Sequence, residues 1–140
     1  MRTVMIVDDA GFTRTFLRNI IESIGMVVVE AKSGEEAIAL FRHYVPDLIM
    51  MDISMPGMDG LTTAKKIMEI KTDAEIIVCS ARGQRDTVFR AISSGVRDYI
   101  IKPLQRERVE LAVQKILTKD VGWELAAVNR VEAYRQAKRN

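Results

Sequence analysis

A single cysteine in 140 residues excludes a disulfide framework. Cys79 lies in the apolar run Ile76-Ile77-Val78-Cys79 and reads as a buried free thiol of a reducing compartment. Long hydrophobic stretches are missing as well. The longest runs resemble Leu48-Ile49-Met50-Met51, whereas a membrane-spanning helix needs about 18 apolar residues. At the N-terminus, Asp8 and Asp9 arrive before a signal-peptide core could form. No charge sign dominates: 21 Lys and Arg face 19 Asp and Glu, a net +2. Residues 121–140 hold Arg130, Arg135, Lys138 and Arg139 against Glu124 and Glu132, so the excess belongs to this tail. No basic face for nucleic acid is implied. What is present, 48% apolar and 29% charged residues, is ordinary globular composition. These features predict one soluble cytoplasmic domain that binds neither nucleic acid nor membrane.

Five short apolar runs alternate with five helical patterns. The runs are Val4–Val7, Val27–Val29, Leu48–Met51, Ile76–Cys79 and Tyr99–Ile101. They are continuous rather than alternating, as in strands covered on both faces by helices. Between them the period becomes helical. Phe16, Leu17, Ile20, Ile21 and Ile24 form one stripe, closed by Gly25. Ser33 and Glu36 resemble a capping box opening a helix with Ala37, Ile38, Leu40 and Phe41 inward. Leu61, Ala64, Ile67 and Met68 mark a third helix, and Val88, Phe89 and Ile92 a fourth. Val109, Ala112, Val113, Ile116 and Leu117 mark the fifth. Strict alternation of this kind predicts right-handed crossovers and an α/β fold with a doubly wound five-stranded parallel sheet.

Ligands of such sheets bind beyond the carboxyl ends of the strands. Strand 1 runs into Asp8-Asp9, strand 3 into Asp52, strand 4 into Ser80 and strand 5 into Lys102-Pro103. Strand 2 is followed by Glu30-Ala31-Lys32-Ser33-Gly34, without a comparable cluster. Taken singly, Asp8 or Asp9 reads as a helix cap, Asp52 as a turn residue, Ser80 as a local cap and Lys102 as a solvated lysine. Their convergence on one sheet edge is what singles them out. Three acids in one crevice repel: two unit charges 4 Å apart cost about 4 kcal/mol at an effective dielectric near 20. One must take up a proton, or a cation must bind. An all-oxygen donor set suits Mg²⁺ and, with it, a phosphoryl group. Asp52 stands alone at a central strand end and is the candidate nucleophile. Lys102 supplies a compact positive charge and Ser80 a hydroxyl.

Asp8-Asp9, the segment Asp52-Ile53-Ser54-Met55-Pro56-Gly57-Met58-Asp59-Gly60, Ser80-Ala81 and Lys102-Pro103 together resemble the receiver domain of two-component response regulators. The resemblance covers residues 2 to about 119. Within that family, Asp8-Asp9-Ala10-Gly11-Phe12-Thr13-Arg14 and Cys79-Ser80-Ala81-Arg82-Gly83-Gln84 are similar to the stand-alone chemotaxis members. The resemblance implies a flavodoxin-like (βα)5 fold with strand order 2-1-3-4-5. It implies that Asp52 accepts phosphoryl from a histidine kinase or a small phosphodonor. Mg²⁺ would be held by Asp9, Asp52 and the main-chain carbonyl of Ser54, with Asp8 acting partly through water. Lys102 would pair with the phosphoryl group, and the bond before Pro103 would be cis. Ser80 and Tyr99 match a switch pair that reshapes the face of helix 4, strand 5 and helix 5. Ser54 and Arg82 would flank the phosphoryl group. Implied partners are a histidine kinase, a phosphorylation-dependent target such as a flagellar motor switch protein, and a phosphatase.

Weaker signals have ordinary readings. His43 has no partner at metal spacing and reads as a surface histidine. The eight methionines all precede residue 69 and read as core fillers, with Met55 and Met58 expected at the surface. Residues 120–140 are too few for a DNA-binding output domain. Trp123, Ala127, Val131 and Tyr134 recur at helical spacing, which predicts an amphipathic helix over residues 121–136. Three other functions remain open at this point. An aspartate-nucleophile phosphatase would carry a second acid where Ser54 stands. An FMN binder would not place Asp8-Asp9 against its phosphate. The chain could also be a receiver cut from a longer regulator.

Overall fold

In the computed structural model, residues 2–117 are described, so the helix expected over residues 121–136 lies outside them. Five strands alternate with five helices: β1 Thr3–Val7, α1 Gly11–Ser23, β2 Val27–Ala31, α2 Gly34–Tyr44, β3 Leu48–Met51, α3 Gly60–Ile70, β4 Ile76–Ser80, α4 Arg85–Ser93, β5 Asp98–Ile101 and α5 Arg106–Leu117. All strand pairs are parallel and the order is β2-β1-β3-β4-β5. The chain therefore winds outward from β1 to β2, then crosses to β3 on the other side. That reversal opens a crevice between the carboxyl ends of β1 and β3.

The continuous apolar runs follow from two separate cores. Val4 and Ile6 of β1 face α1 and α5, packing with Leu17, Ile20, Ile21, Val113 and Ile116. Met5 and Val7 face the opposite layer, with Phe41 of α2, Ile67 of α3 and Ala91 of α4. Successive strand residues point to opposite faces, so a strand covered twice has no polar position. Cys79 is buried in the α1–α5 core, and burial pushes its thiol up to about 12. No helix among the described residues is long and apolar enough to cross a membrane.

Local signals act as read. Ser33 caps α2, its hydroxyl accepting the Glu36 N–H at 3.1 Å, while the Glu36 carboxylate reaches back to the Lys32 N–H at 3.3 Å. Gly25 follows α1 with φ of 88°, a conformation that costs glycine little. Four details differ from expectation. On α4, Phe89 is 70% exposed and Ile92 47%, because Thr87 and Ala91 form the inward side of that helix. Phe16 of α1 is also on the surface, since α1 buries a narrower stripe of Thr13, Leu17, Ile20 and Ile21. The edge strands β2 and β5 each expose an apolar residue, Val27 and Ile101. Met55, by contrast, is buried in the α2–α3 core and Met58 half-buried, because the loop after β3 folds back over that core. His43 is exposed and packs edge-on against Tyr44.

Candidate functional site

The strand register brings the polar residues onto one edge. Val7 pairs with Met51, so Asp8 and Asp52 leave adjacent strands at the same level. Backbone bonds continue the ladders one step further: Asp52 N–H to the Val7 carbonyl at 2.9 Å, and Lys102 N–H to the Ser80 carbonyl at 2.9 Å. Asp8 and Asp52 are buried, at 1% and 5% exposure, whereas Asp9 is exposed. One carboxylate oxygen from each of the three lies within 4.8 Å of the others, the sole such acidic cluster among the described residues.

Lys102 spans the cluster. Its Nζ donates to Asp8 Oδ2 at 2.9 Å and lies 3.6 Å from Asp52 Oδ2. The peptide bond from Lys102 to Pro103 is cis. Burial alone would lower the ammonium pKa, but the bond to Asp8 and the charge of Asp52 raise it above its usual value. Asp52 moves the other way for a carboxyl. Burial raises its pKa, the Asp8 and Asp9 charges add to this, and Lys102 and the Ser54 N–H oppose it without prevailing. The surroundings thus make ionisation of Asp52 harder than for an exposed carboxyl. One ammonium against three acids leaves the crevice negative. Clustered hard oxygen donors with one exposed member fit a small divalent cation that retains part of its water shell.

Ser80 is fully buried, and its hydroxyl accepts the Arg82 N–H at 3.2 Å. The Tyr99 ring lies inward at 9% exposure, its hydroxyl donating to the Arg82 carbonyl. Burial raises the Tyr99 phenol pKa, against the hydrogen bond to Ser80 and the charge of Arg82. Ser54 and Arg82 are both exposed beside the crevice. Gly60, the first residue of α3, is held against Asp52: a Cβ there would fall 1.9 Å from the Asp52 carbonyl oxygen. An apolar groove of about 510 Å³ adjoins the site, lined by Phe12, Phe16, Pro103 and Leu104 together with Lys102.

The structure brings Asp8, Asp9, Asp52 and Lys102 into one cluster, with Ser80 at the end of β4 and Tyr99 within β5, opposite Val78. Sequence reasoning passed over Arg14 and Glu30, which join α1 to β2 beside Asp8. Arg14 lies five residues after Asp9 on α1, and Glu30 lies on β2. No spacing rule connects them.

Comparison with known proteins gives the family of the chain. The response regulator receiver domain matches residues 4–114. The chain is 45% identical over 115 residues to the chemotaxis protein CheY of Bacillus subtilis, covering 81% of this chain and 96% of that protein. It is 46% identical over 116 residues to CheY of Thermotoga maritima, covering 82% and 97%. A crystal structure of the CheX-CheY-BeF3-Mg complex from Borrelia burgdorferi superposes with a TM-score of 0.80 at 35% identity, covering 83% of this chain and 89% of that one. The β1–β3 crevice, its acids and its lysine thus sit on a chain that belongs to the response regulator receiver domain family.

Proposed function

We propose that this receiver is a phosphorylation-driven switch in which Asp52 is the phosphoacceptor. The observation that carries this reading is the position of the buried Asp52 carboxylate, within 4.8 Å of those of Asp8 and Asp9 and 3.6 Å from Lys102 Nζ. An Asp52 oxygen attacks phosphorus and forms an acyl phosphate. The bond from phosphorus to the donor breaks, and its electron pair leaves with a histidine nitrogen of a kinase or with acetate. Asp9 and Asp52, with the Ser54 carbonyl, would hold Mg²⁺, and Asp8 would act partly through water. Bound Mg²⁺ neutralises charge on the phosphoryl oxygens. Lys102 leaves its ion pair with Asp8 and Asp52 to meet the new charge. Hydrolysis of the acyl phosphate by water returns the carboxylate, so the intrinsic chemistry is limited to gaining and losing this group.

Phosphorylation adds about two negative charges and three acceptor oxygens at the sheet edge. Ser80 turns its hydroxyl to them, giving up its bond to the Arg82 N–H, and the Tyr99 ring is held in the inward position it already occupies, which fixes the surface of α4, β5 and α5. We assign a histidine kinase to the groove beside Lys102, where apolar side chains adjoin the lysine that pairs with Asp52. The target is a protein that reads the α4–β5–α5 face. The relatives named as chemotaxis proteins support a chemotactic target such as a flagellar motor switch protein, and the complex with CheX supports a further protein partner, to which we assign the role of the expected phosphatase. A buried unpaired cysteine suits the cytoplasm.

Incubation with acetyl phosphate and Mg²⁺ should add one phosphoryl group to the intact chain, read by mass spectrometry. Asp52→Asn should abolish it, and chelation of Mg²⁺ should slow it steeply. Stoichiometric labelling of Asp52→Asn would sink the assignment.

A further inference from the structure

Two of the three acids, Asp8 and Asp9, lie on the short loop between β1 and α1, where Asp8 Oδ1 accepts the Ala10 N–H at 2.9 Å. Asp9 makes no side-chain hydrogen bond or ion pair among the described residues, so its carboxylate is aimed by the backbone alone. That backbone leads into a helix with a bare start. α1 has Ala10 at its N-cap, no side-chain cap and no acid in its first turn. α2 and α3 are capped by Ser33 and Asp59, and α4, also uncapped, carries Asp86 in its first turn. The helix that carries the cation loop is thus the least secured of these four at its N-terminus.

Arg14 makes up the deficit. Helical side chains lean toward the N-terminus, and Arg14, one turn into α1, reaches back past Gly11. Its Nη1 donates to the Asp8 carbonyl at 2.7 Å and its Nε to Glu30 Oε1 at 2.9 Å. Glu30, on β2, also accepts from Arg18 Nε at 2.7 Å. The other backbone group of Asp8 is tied to the same strand, its N–H donating to the Ala31 carbonyl at 3.1 Å. Both main-chain groups of Asp8 are therefore anchored to β2, one directly and one through the Arg14 fork, and Asp9 begins at the fixed carbonyl.

We propose that Arg14, braced by Glu30, is a positioning residue for the cation site, setting the Asp8–Asp9 peptide and through it the direction of the Asp9 carboxylate. This rests on the reading of Asp8, Asp9 and Asp52 as a Mg²⁺ site. Geometry and charge predict opposite signs here. Arg14 is a cation beside a cation site, so a purely electrostatic role means that removing its charge tightens Mg²⁺. A positioning role means that removal weakens it.

The test is a Mg²⁺ titration of the full chain followed by amide chemical shifts, with thermal melting of each variant in the absence of metal. Arg14→Gln should raise the half-saturating Mg²⁺ concentration about tenfold, the scale of lost outer-shell support. Arg14→Lys keeps the charge without the fork and should weaken binding nearly as much, which also covers failure of the first variant to fold. Arg18→Gln shares the Glu30 contact but not the Asp8 carbonyl, and should change Mg²⁺ affinity less than about twofold even where it lowers melting temperature. Unchanged or tighter binding in the Arg14 variants overturns the proposal. Equal weakening by Arg18→Gln, in step with lost stability, also overturns it. A wild type that gives no Mg²⁺-dependent shifts removes the cation site itself and the proposal with it, an outcome distinct from the other two.

Discussion

Glu30 and Lys102 are half-buried charges whose partners decide their titration. Burial alone would raise the Glu30 pKa, but the hydrogen bonds and charges of Arg18 and Arg14 hold it below the usual glutamate value. A carboxyl lowered in this way contributes stability above its unfolded pKa and loses it as pH falls through its folded pKa. Glu30→Gln should therefore destabilise the protein to urea at neutral pH. The gap from wild type should close in acid, below both pKa values. A gap that stays constant down to about pH 3 would mean that Glu30 acts by shape rather than charge. Lys102 is the counter-case, since its single charge is shared between two buried acids. Lys102→Met leaves Asp8 buried without its ion pair and should cost about 2 kcal/mol without metal, the scale of a hydrogen bond to a charged group. Because it also makes the crevice more negative, the same variant should bind Mg²⁺ more tightly while accepting phosphoryl from acetyl phosphate more slowly. Looser Mg²⁺ binding would contradict the electrostatics of the cluster.

At the scale of elements, α4 separates what was legible from what was not. The runs Val4–Val7 and Ile76–Cys79 could be read as strands because two-sided burial leaves no polar position, and the structure gives strands there. Asp8, Asp52, Ser80 and Lys102 were legible for the same reason, each being the first polar residue or nearly so after an apolar run. Helical stripes are less definite. Val88, Phe89 and Ile92 gave the right helix, but the inward side carries Thr87 and Ala91, and periodicity alone does not rank a threonine above a phenylalanine. Pairings such as Asp8 with Lys102, 94 residues apart, or Arg14 with Glu30, come only from the packed sheet. The exposed Phe89 and Ile92 give α4 an apolar outer surface on the element that we assign to the target face. Phe89→Ser should shift stability by no more than about 0.5 kcal/mol, since little burial is lost. It should weaken capture of the phosphorylation-dependent target by the beryllofluoride-treated protein. A large loss of stability would show Phe89 to be part of the core.

For the whole molecule, the acidic crevice is a stability cost placed between central strands. β1 and β3 are flanked on both sides in the sheet, so repulsion among Asp8, Asp9 and Asp52 is relieved in full only by protonation, by a cation or by unfolding. Burial and the Asp8 charge raise the Asp52 pKa in the folded state. For a carboxyl shifted upward, the folded state binds the proton more tightly, so stability is lost as pH rises from the unfolded pKa through the folded one. Asp52→Asn removes that ionisation. Without metal it should melt above wild type at neutral pH, by about 3 °C for each kcal/mol relieved in a domain of this size. The advantage should vanish below the unfolded pKa, where wild-type Asp52 is neutral in both states. Mg²⁺ should act in the same direction on wild type, contributing about 2.7 kcal/mol at a hundredfold excess over its dissociation constant. It should raise the melting temperature of Asp52→Asn by less, because one ligand and one repulsive charge are already gone. Melting curves of both proteins across acid to neutral pH, with and without Mg²⁺, read all of this together. An Asn variant that melts below wild type in neutral metal-free buffer would show that the Lys102 pairing outweighs the repulsion, and that the crevice is held closed rather than forced apart by its own charge.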